Sequence, residues 1–341
     1  MYVSIVLALF LQLCRAKFPP TSLARYGTAL YRTIDPGVDQ LIRRLDRSTG
    51  IQPWELGNLV ESDMRLPMPK LRNGLVGDTT SFFRWPNATM VYKMVGNFNK
   101  TERHFIQRAM REFERYTCIR FKERTNEVSY AAIGNSDYGC WADVGRGHGK
   151  TVVNLQAGCA TALTTPIHEL MHALGFFHEH TRLDRDQYID VIYDHMIPDP
   201  SIYYNFQLVE PSEASNFSVP YDIGSIMHYS RYSFSVKPGK LETMVAKVPW
   251  NSTFGQGDTL TKYDALLLNI MYCGTPPPKE ALPVPDRWIP AEPLVREITT
   301  TPRPKVTTST KKPWQRKPTF RKMNKSAKEK MEQELWARLR G

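Results

Sequence analysis

The chain is poor in cysteine, with five in 341 residues, and holds no apolar run approaching the ~20 residues that a relaxed membrane span needs. The expected product therefore does not span a membrane. After Cys273 there is no further cysteine, which excludes an EGF-like module there, and no apolar periodicity that would build a second core. A Ser or Cys nucleophile motif is also missing, so a covalent intermediate has no evident carrier. Excess charge is scarce everywhere except the end. Residues 274–341 carry 16 Lys/Arg against 7 Asp/Glu, nine of the eleven formal positive charges, so the remainder is near neutral. The isoelectric point of about 9.4 thus says little about any active site.

What is present begins with Met1 to Leu13, an uncharged apolar stretch too short to span a bilayer. Cys14-Arg15-Ala16 follows, with small residues at the −3 and −1 positions of a signal-peptidase site. Residues 1–16 are expected to be a signal peptide and the product to be secreted and extracellular. Loss of Cys14 leaves Cys118, Cys140, Cys159 and Cys273, an even number that implies disulfides in such a compartment. Four cysteines permit three pairings, and the residues alone do not choose. N-x-[ST] sequons at Asn87, Asn99, Asn216, Asn251 and Asn324 are candidate glycosylation sites.

The most informative stretch is His168-Glu169-Leu170-Met171-His172-Ala173-Leu174-Gly175-Phe176-Phe177-His178. On a helix, His168 and His172 stand at i and i+4, so both imidazoles leave one face a turn apart. That spacing lets two neutral nitrogens reach one Zn²⁺ at ~2.0–2.1 Å. Glu169 comes directly after the first ligand, near enough to serve a reacting water. Gly175 provides the positive φ of a helix C-cap, and His178 can then swing back to the same ion. Three histidines leave a coordination position open, the catalytic rather than the structural arrangement. An isolated HExxH is modest evidence, because any amphipathic helix places two histidines by chance. Three histidines, a glutamate and a glycine in register are not so easily coincident.

The chain continues Glu179-His180-Thr181-Arg182-Leu183-Asp184-Arg185-Asp186, and downstream comes Ser225-Ile226-Met227-His228-Tyr229. Together these resemble the astacin family of metzincin endopeptidases, whose pattern is HExxHxxGFxHExxRxDRD followed by an SxMHY Met-turn. The likeness runs from about Asn73 to Cys273. It implies an α+β fold: a two-subdomain catalytic domain with a twisted, mainly antiparallel-edged sheet, a zinc helix and an irregular C-terminal half, with substrate in the cleft between. It implies that His168, His172 and His178 bind one zinc and that Glu169 is the general base. Tyr229 would be a further zinc ligand at rest that turns to stabilise the transition state, and Met227 a hydrophobic floor. The implied disulfides are Cys118–Cys273 and Cys140–Cys159. The chemistry stands without the family name. Zn²⁺ acidifies its water and polarises the scissile carbonyl, a carboxylate moves the proton, and a phenol supports the oxyanion.

Residues 17–72 are expected to be a propeptide. Astacin propeptides carry a segment resembling FxGDI whose aspartate takes the catalytic water's place on zinc. Val60-Glu61-Ser62-Asp63-Met64 differs from it by Val for Phe, Ser for Gly and Met for Ile, and the resemblance implies that Asp63 is the metal ligand of the latent form. Lys70-Leu71-Arg72 then precedes Asn73-Gly74-Leu75-Val76-Gly77-Asp78, which resembles a mature N-terminus. Cutting after Arg72 calls for a trypsin-like protease, and in the family the freed amine pairs, through water, with the glutamate that is Glu179 here.

Elsewhere the periodicity predicts helices over Gly37–Leu45, Thr101–Thr117 and Thr261–Tyr272, and strands over Met90–Val95 and Lys150–Leu155. The catalytic domain is expected to occupy residues 73–273. Residues 274–341 hold 11 of the 25 prolines and read as a basic, Pro/Thr-rich, largely disordered tail with a short basic helix over Lys325–Arg340. Such a tail suits a polyanion such as a sulfated glycan, and nucleic acid is not an expected partner of a secreted chain. The whole reads as a secreted zinc endopeptidase, made as a zymogen and acting on proteins or peptides. The rival is a catalytically silent matrix- or glycan-binding protein, which has no need of an intact Glu169 and three intact ligands.

Overall fold

The computed structural model describes residues 32–66, 83–209, 215–255 and 257–274. The leader, the cleavage region around Arg72 and Asn73, Asn324 and the basic tail lie outside the described residues.

In chain order the strands and the helices longer than one turn are α1 (Gly37–Arg43), β1 (Met64–Arg65), β2 (Thr89–Met94), α2 (Lys100–Tyr116), β3 (Arg120–Glu123), β4 (Tyr130–Gly134), β5 (Cys140–Asp143), β6 (Lys150–Leu155), α3 (Thr164–Ala173), β7 (Ile189–Val191), β8 (Met244–Ala246) and α4 (Lys262–Cys273). Six strands form one sheet in the order β1-β5-β6-β4-β2-β3. The body of that sheet is parallel, and the antiparallel pairing is confined to one side, where β5 runs against β6. Outside β5 lies β1, paired parallel with Met64 opposite Ala142 and Arg65 opposite Asp143. The edge strand therefore comes from the segment expected to be the propeptide.

α2 shows how local signals set an element. Ile106, Ala109, Met110, Phe113 and Tyr116 recur at helical spacing and are all buried. Full burial of Ile106, Met110 and Phe113 contributes roughly 1.5–3 kcal/mol each. The helix begins one residue before the periodicity predicts. Asn99 is the cap, accepting from the Glu102 backbone while Glu102 accepts from the backbone of Asn99. Asparagine at that position outcompetes a threonine two residues later, because its side chain reaches the free N–H groups from an extended backbone. The same device opens α4, where Thr261 and Asp264 cap each other reciprocally.

Beyond α3 the chain is mostly short turns, with β7 and β8 as a separate antiparallel pair. What fixes this irregular half is packing and a cross-link. Ile189, Phe206, Tyr221, Ile226, Tyr229 and Leu268 belong to the same core as Ile106, Ile133 and Leu170. Cys118 is bonded to Cys273 across 155 residues, and Cys140 to Cys159 across 19, the pairs named above. Closing a loop as long as the first removes about 5 kcal/mol of unfolded-chain entropy.

Candidate active site

α3 is buried along its whole length. Its end is set by Gly175, at φ +104°, a conformation that side-chain-bearing residues rarely adopt. The Phe176 N–H returns to the Met171 carbonyl at 3.1 Å, closing the helix end, and the chain then turns back to deliver His178.

Each of the three imidazoles is oriented through its Nδ1. His168 Nδ1 donates to the Ile226 carbonyl at 2.8 Å, His172 Nδ1 to the Phe176 carbonyl at 2.7 Å, and His178 Nδ1 to Glu61 Oε2 at 2.9 Å. With the proton on Nδ1, Nε2 is left as a lone-pair donor. Those Nε2 atoms converge: His168 lies 3.0 Å from His172 and 3.2 Å from His178. Asp63 Oδ2 comes within 3.0 Å of His168 Nε2, and Oδ1 within 3.6 and 3.4 Å of His172 and His178. All four residues are wholly buried or nearly so, with their ligand atoms within 4.8 Å of one another. Lone pairs so crowded repel unless a cation sits among them. Asp63 Oδ1 has no hydrogen-bond partner among the described residues, as a ligand atom would not. The donor set fits a zinc ion, the nitrogen-and-oxygen type with three histidines.

Glu169 sits beside this cluster, fully buried, with neither carboxylate oxygen hydrogen-bonded among the described residues. Burial, and then the nearby Asp63 charge, push its carboxyl well above the ordinary carboxylate range. A divalent cation held by the four donors acts in the opposite sense.

The Met-turn is held from α4. Asp264 accepts from Ser225 Oγ at 2.6 Å and from the Ile226 N–H at 3.0 Å, so one carboxylate caps α4 and pins the turn. Met227 is buried in the core, and its carbonyl accepts from the Glu179 N–H at 2.9 Å. Tyr229 has its hydroxyl 3.1 Å from Ser62 Oγ, and its ring stacks on His180 at 3.8 Å. Glu179 is paired with Arg182 at 2.9 Å and accepts from the Asp222 N–H, while burial pushes its carboxyl up to about 8. Of the described sequons, Asn87, Asn99, Asn216 and Asn251 are all exposed.

Sequence reasoning missed most of what surrounds Asp63. Trp54 is the largest of the fully buried side chains and stacks on His168, ring centroids 3.7 Å apart and planes inclined by 12°. Glu55 accepts from Ser230 Oγ at 2.7 Å, from Ser233 Oγ and from the Gln52 N–H. Burial lifts the Glu55 carboxyl to about 7 against those hydrogen bonds. Ser62, where the family pattern has glycine, takes φ +71°, and Glu61 before it takes φ +46°. Two consecutive residues in the left-handed region cost roughly 1–2 kcal/mol each, and the Ser62 hydroxyl's bonds to Glu61 and Tyr229 offset part of that. The Pro53 to Glu55 turn carried a visible capping signal, but nothing in the sequence says where Trp54 and Glu55 land.

A buried carboxylate with no hydrogen-bond partner among the described residues, beside three imidazoles and an aspartate whose donor atoms converge, is an arrangement suited to metal-dependent hydrolysis. The family comes from comparison. The model of the Astacin peptidase family matches residues 78–273, and the chain belongs to that family. Its catalytic domain is that of a zinc metalloendopeptidase. It is 40% identical over 212 residues to zinc metalloproteinase nas-8 of Steinernema carpocapsae, covering 61% of this chain and 49% of that one. Against rat (Rattus norvegicus) meprin A subunit beta it is 32% identical over 246 residues, covering 72% of this chain and 32% of that one. The solved high choriolytic enzyme 1, a hatching enzyme zinc-protease from Oryzias latipes (medaka fish), is 32% identical with a TM-score of 0.52, covering 59% of this chain and 99% of that one. The chain spans about half the length of several curated relatives it matches. No described helix is long and apolar enough to cross a membrane.

Proposed function

We propose that the protein is a secreted endopeptidase made as a latent precursor and switched on by a trypsin-like cut after Arg72. The observation that carries this reading is the Asp63 carboxylate, delivered from the N-terminal segment into the centre of the three histidines. In that position it excludes both water and a substrate carbonyl. Residues 17–72 form the prosegment, 73–273 the catalytic domain and 274–341 the tail.

His168, His172 and His178 hold the zinc, which when bound supplies Lewis acidity to water and to the scissile carbonyl. Glu169 takes the proton from the attacking water and returns it to the leaving amine. Tyr229, released from Ser62 when the prosegment leaves, donates its phenolic hydrogen bond to the carbonyl oxygen as it gains charge. Glu179 receives the new α-amino group of Asn73.

The test is direct. Full-length protein should not cleave a denatured protein substrate, trypsin treatment should start cleavage, and a zinc chelator should stop it. Chelator-resistant activity after trypsin would overturn the zinc assignment. A precursor active before trypsin would overturn latency.

The basic tail is proposed to retain the enzyme on sulfated glycans. A chain ending at Cys273 should elute from heparin at lower salt than the full chain, because the tail's attraction is screened as the Debye length falls from ~10 Å at 0.1 M towards ~3 Å at 1 M. Equal elution would make the tail a spacer only.

A further inference from the structure

Five of the six basic side chains of α2 share one face; the sixth, Arg103, lies off it and donates to the Phe98 carbonyl at 3.1 Å. At 100° per residue, Lys100, His104, Arg108, Arg111 and Arg115 fall within an arc of about 80°, on the side opposite the buried Ile106, Ala109, Met110, Phe113 and Tyr116. All five are exposed. The helix's three acids are committed elsewhere. Glu102 closes the N-terminal capping box, Glu112 accepts from Thr259 Oγ1 at 2.7 Å, and Glu114 accepts from the Phe121 N–H at 3.1 Å. Lys100, Arg108 and Arg111 meet no acidic side chain among the described residues. Arg115 lies over the Tyr116 ring at 5.2 Å, which leaves its charge unneutralised.

Such a stripe is unfavourable for the helix by itself. Arg108 and Arg111 at i,i+3, and Arg111 and Arg115 at i,i+4, repel, and Lys100 opposes the positive end of the helix dipole. It is also local, since the chain before residue 274 is close to neutral.

The structure assigns to this face a binding site for a linear sulfated glycosaminoglycan, separate from the tail. The stripe runs about 22 Å along one helix, so regularly spaced anions on a stiff chain are matched by cations repeating every three or four residues. Guanidinium groups favour oxyanions such as sulfate, which they engage through paired N–H donors. A lipid surface fits less well, because none of the exposed large apolar side chains among the described residues lies on α2. The buried side of α2 packs against α3, so a glycan on the stripe lies across the helix from His168 and His172 and leaves the catalytic side free.

The experiment maps arginine reactivity in the full-length protein. Phenylglyoxal modification is read residue by residue by mass spectrometry, with and without a heparin oligosaccharide at 0.1 M salt. Protection of Arg108, Arg111 and Arg115 is expected. Protection confined to tail arginines such as Arg316 and Arg321 would overturn the stripe while leaving the tail reading intact. Protection of the stripe without the tail would do the reverse. Stronger protection by phosphatidylserine vesicles than by heparin would assign the face to lipid and overturn the proposal. As a second readout, the full-length triple variant Arg108→Ser, Arg111→Ser, Arg115→Ser should bind the oligosaccharide about tenfold more weakly at 0.1 M salt. After trypsin activation it should cleave a small peptide at the wild-type rate. Unchanged heparin affinity in this variant would also overturn the site.

Discussion

Glu169→Gln enzyme, activated normally and carrying one zinc, should lose at least 100-fold in kcat on a peptide substrate. A positioned general base contributes ~10²–10⁴-fold, and the amide keeps the shape of the carboxylate while losing its ability to take a proton. The geometry makes this substitution unusually clean. Glu169 is not one of the four converging donors, so metal content should not change. Neither of its oxygens anchors another protein group among the described residues, so no buried donor loses its partner. Zinc content by metal analysis and the melting temperature should therefore match the wild type. A variant retaining more than about a tenth of wild-type kcat would remove Glu169 from the proton path, since that loss is smaller than any ordinary general-base contribution.

The parts of this site that were legible in the sequence are those that chemistry compresses into short range. His168 and His172 can be read because a helix fixes their spacing, and His178 because Gly175 marks where the helix must stop. Tyr229 and Met227 are far from these in sequence, and only the resemblance of Ser225–Tyr229 to a known turn placed them. α2 was legible because its buried face repeats. Its exact start was not, because Asn99 and Thr101 each offer a side-chain oxygen that could cap it. The sheet's parallel body and the edge strand β1 follow from pairings that no local pattern encodes. Asp264 shows the same limit: its capping box is visible, but its grip on Ser225, 39 residues away, is tertiary.

The proposed prosegment is where the structure adds most to the expectation. The sequence pointed to Asp63 as the plug, yet Trp54 stacks on His168, Glu55 is seated on Ser230 and Ser233, and Glu61 holds His178. In the proposed latent precursor, closure then rests on several contacts, and their relative weight can be predicted. In a precursor made uncleavable by Arg72→Gln, Asp63→Ala removes a charged partner of the site. Such contacts are worth ~1.5–3 kcal/mol, which corresponds to roughly 10–100-fold more of the open form. Trp54→Ala removes a fully buried indole, a loss of ~3–5 kcal/mol and hence at least 100-fold more opening, provided the segment is released as a unit. Activity of the uncleaved precursor should therefore rise more for Trp54→Ala than for Asp63→Ala, and most for the double variant. Peptide turnover by intact precursor, confirmed uncut by mass spectrometry, measures this. If Asp63→Ala alone restores full activity and Trp54→Ala leaves the precursor silent, ligation of the metal is the whole of latency, and the packed indole only fills space.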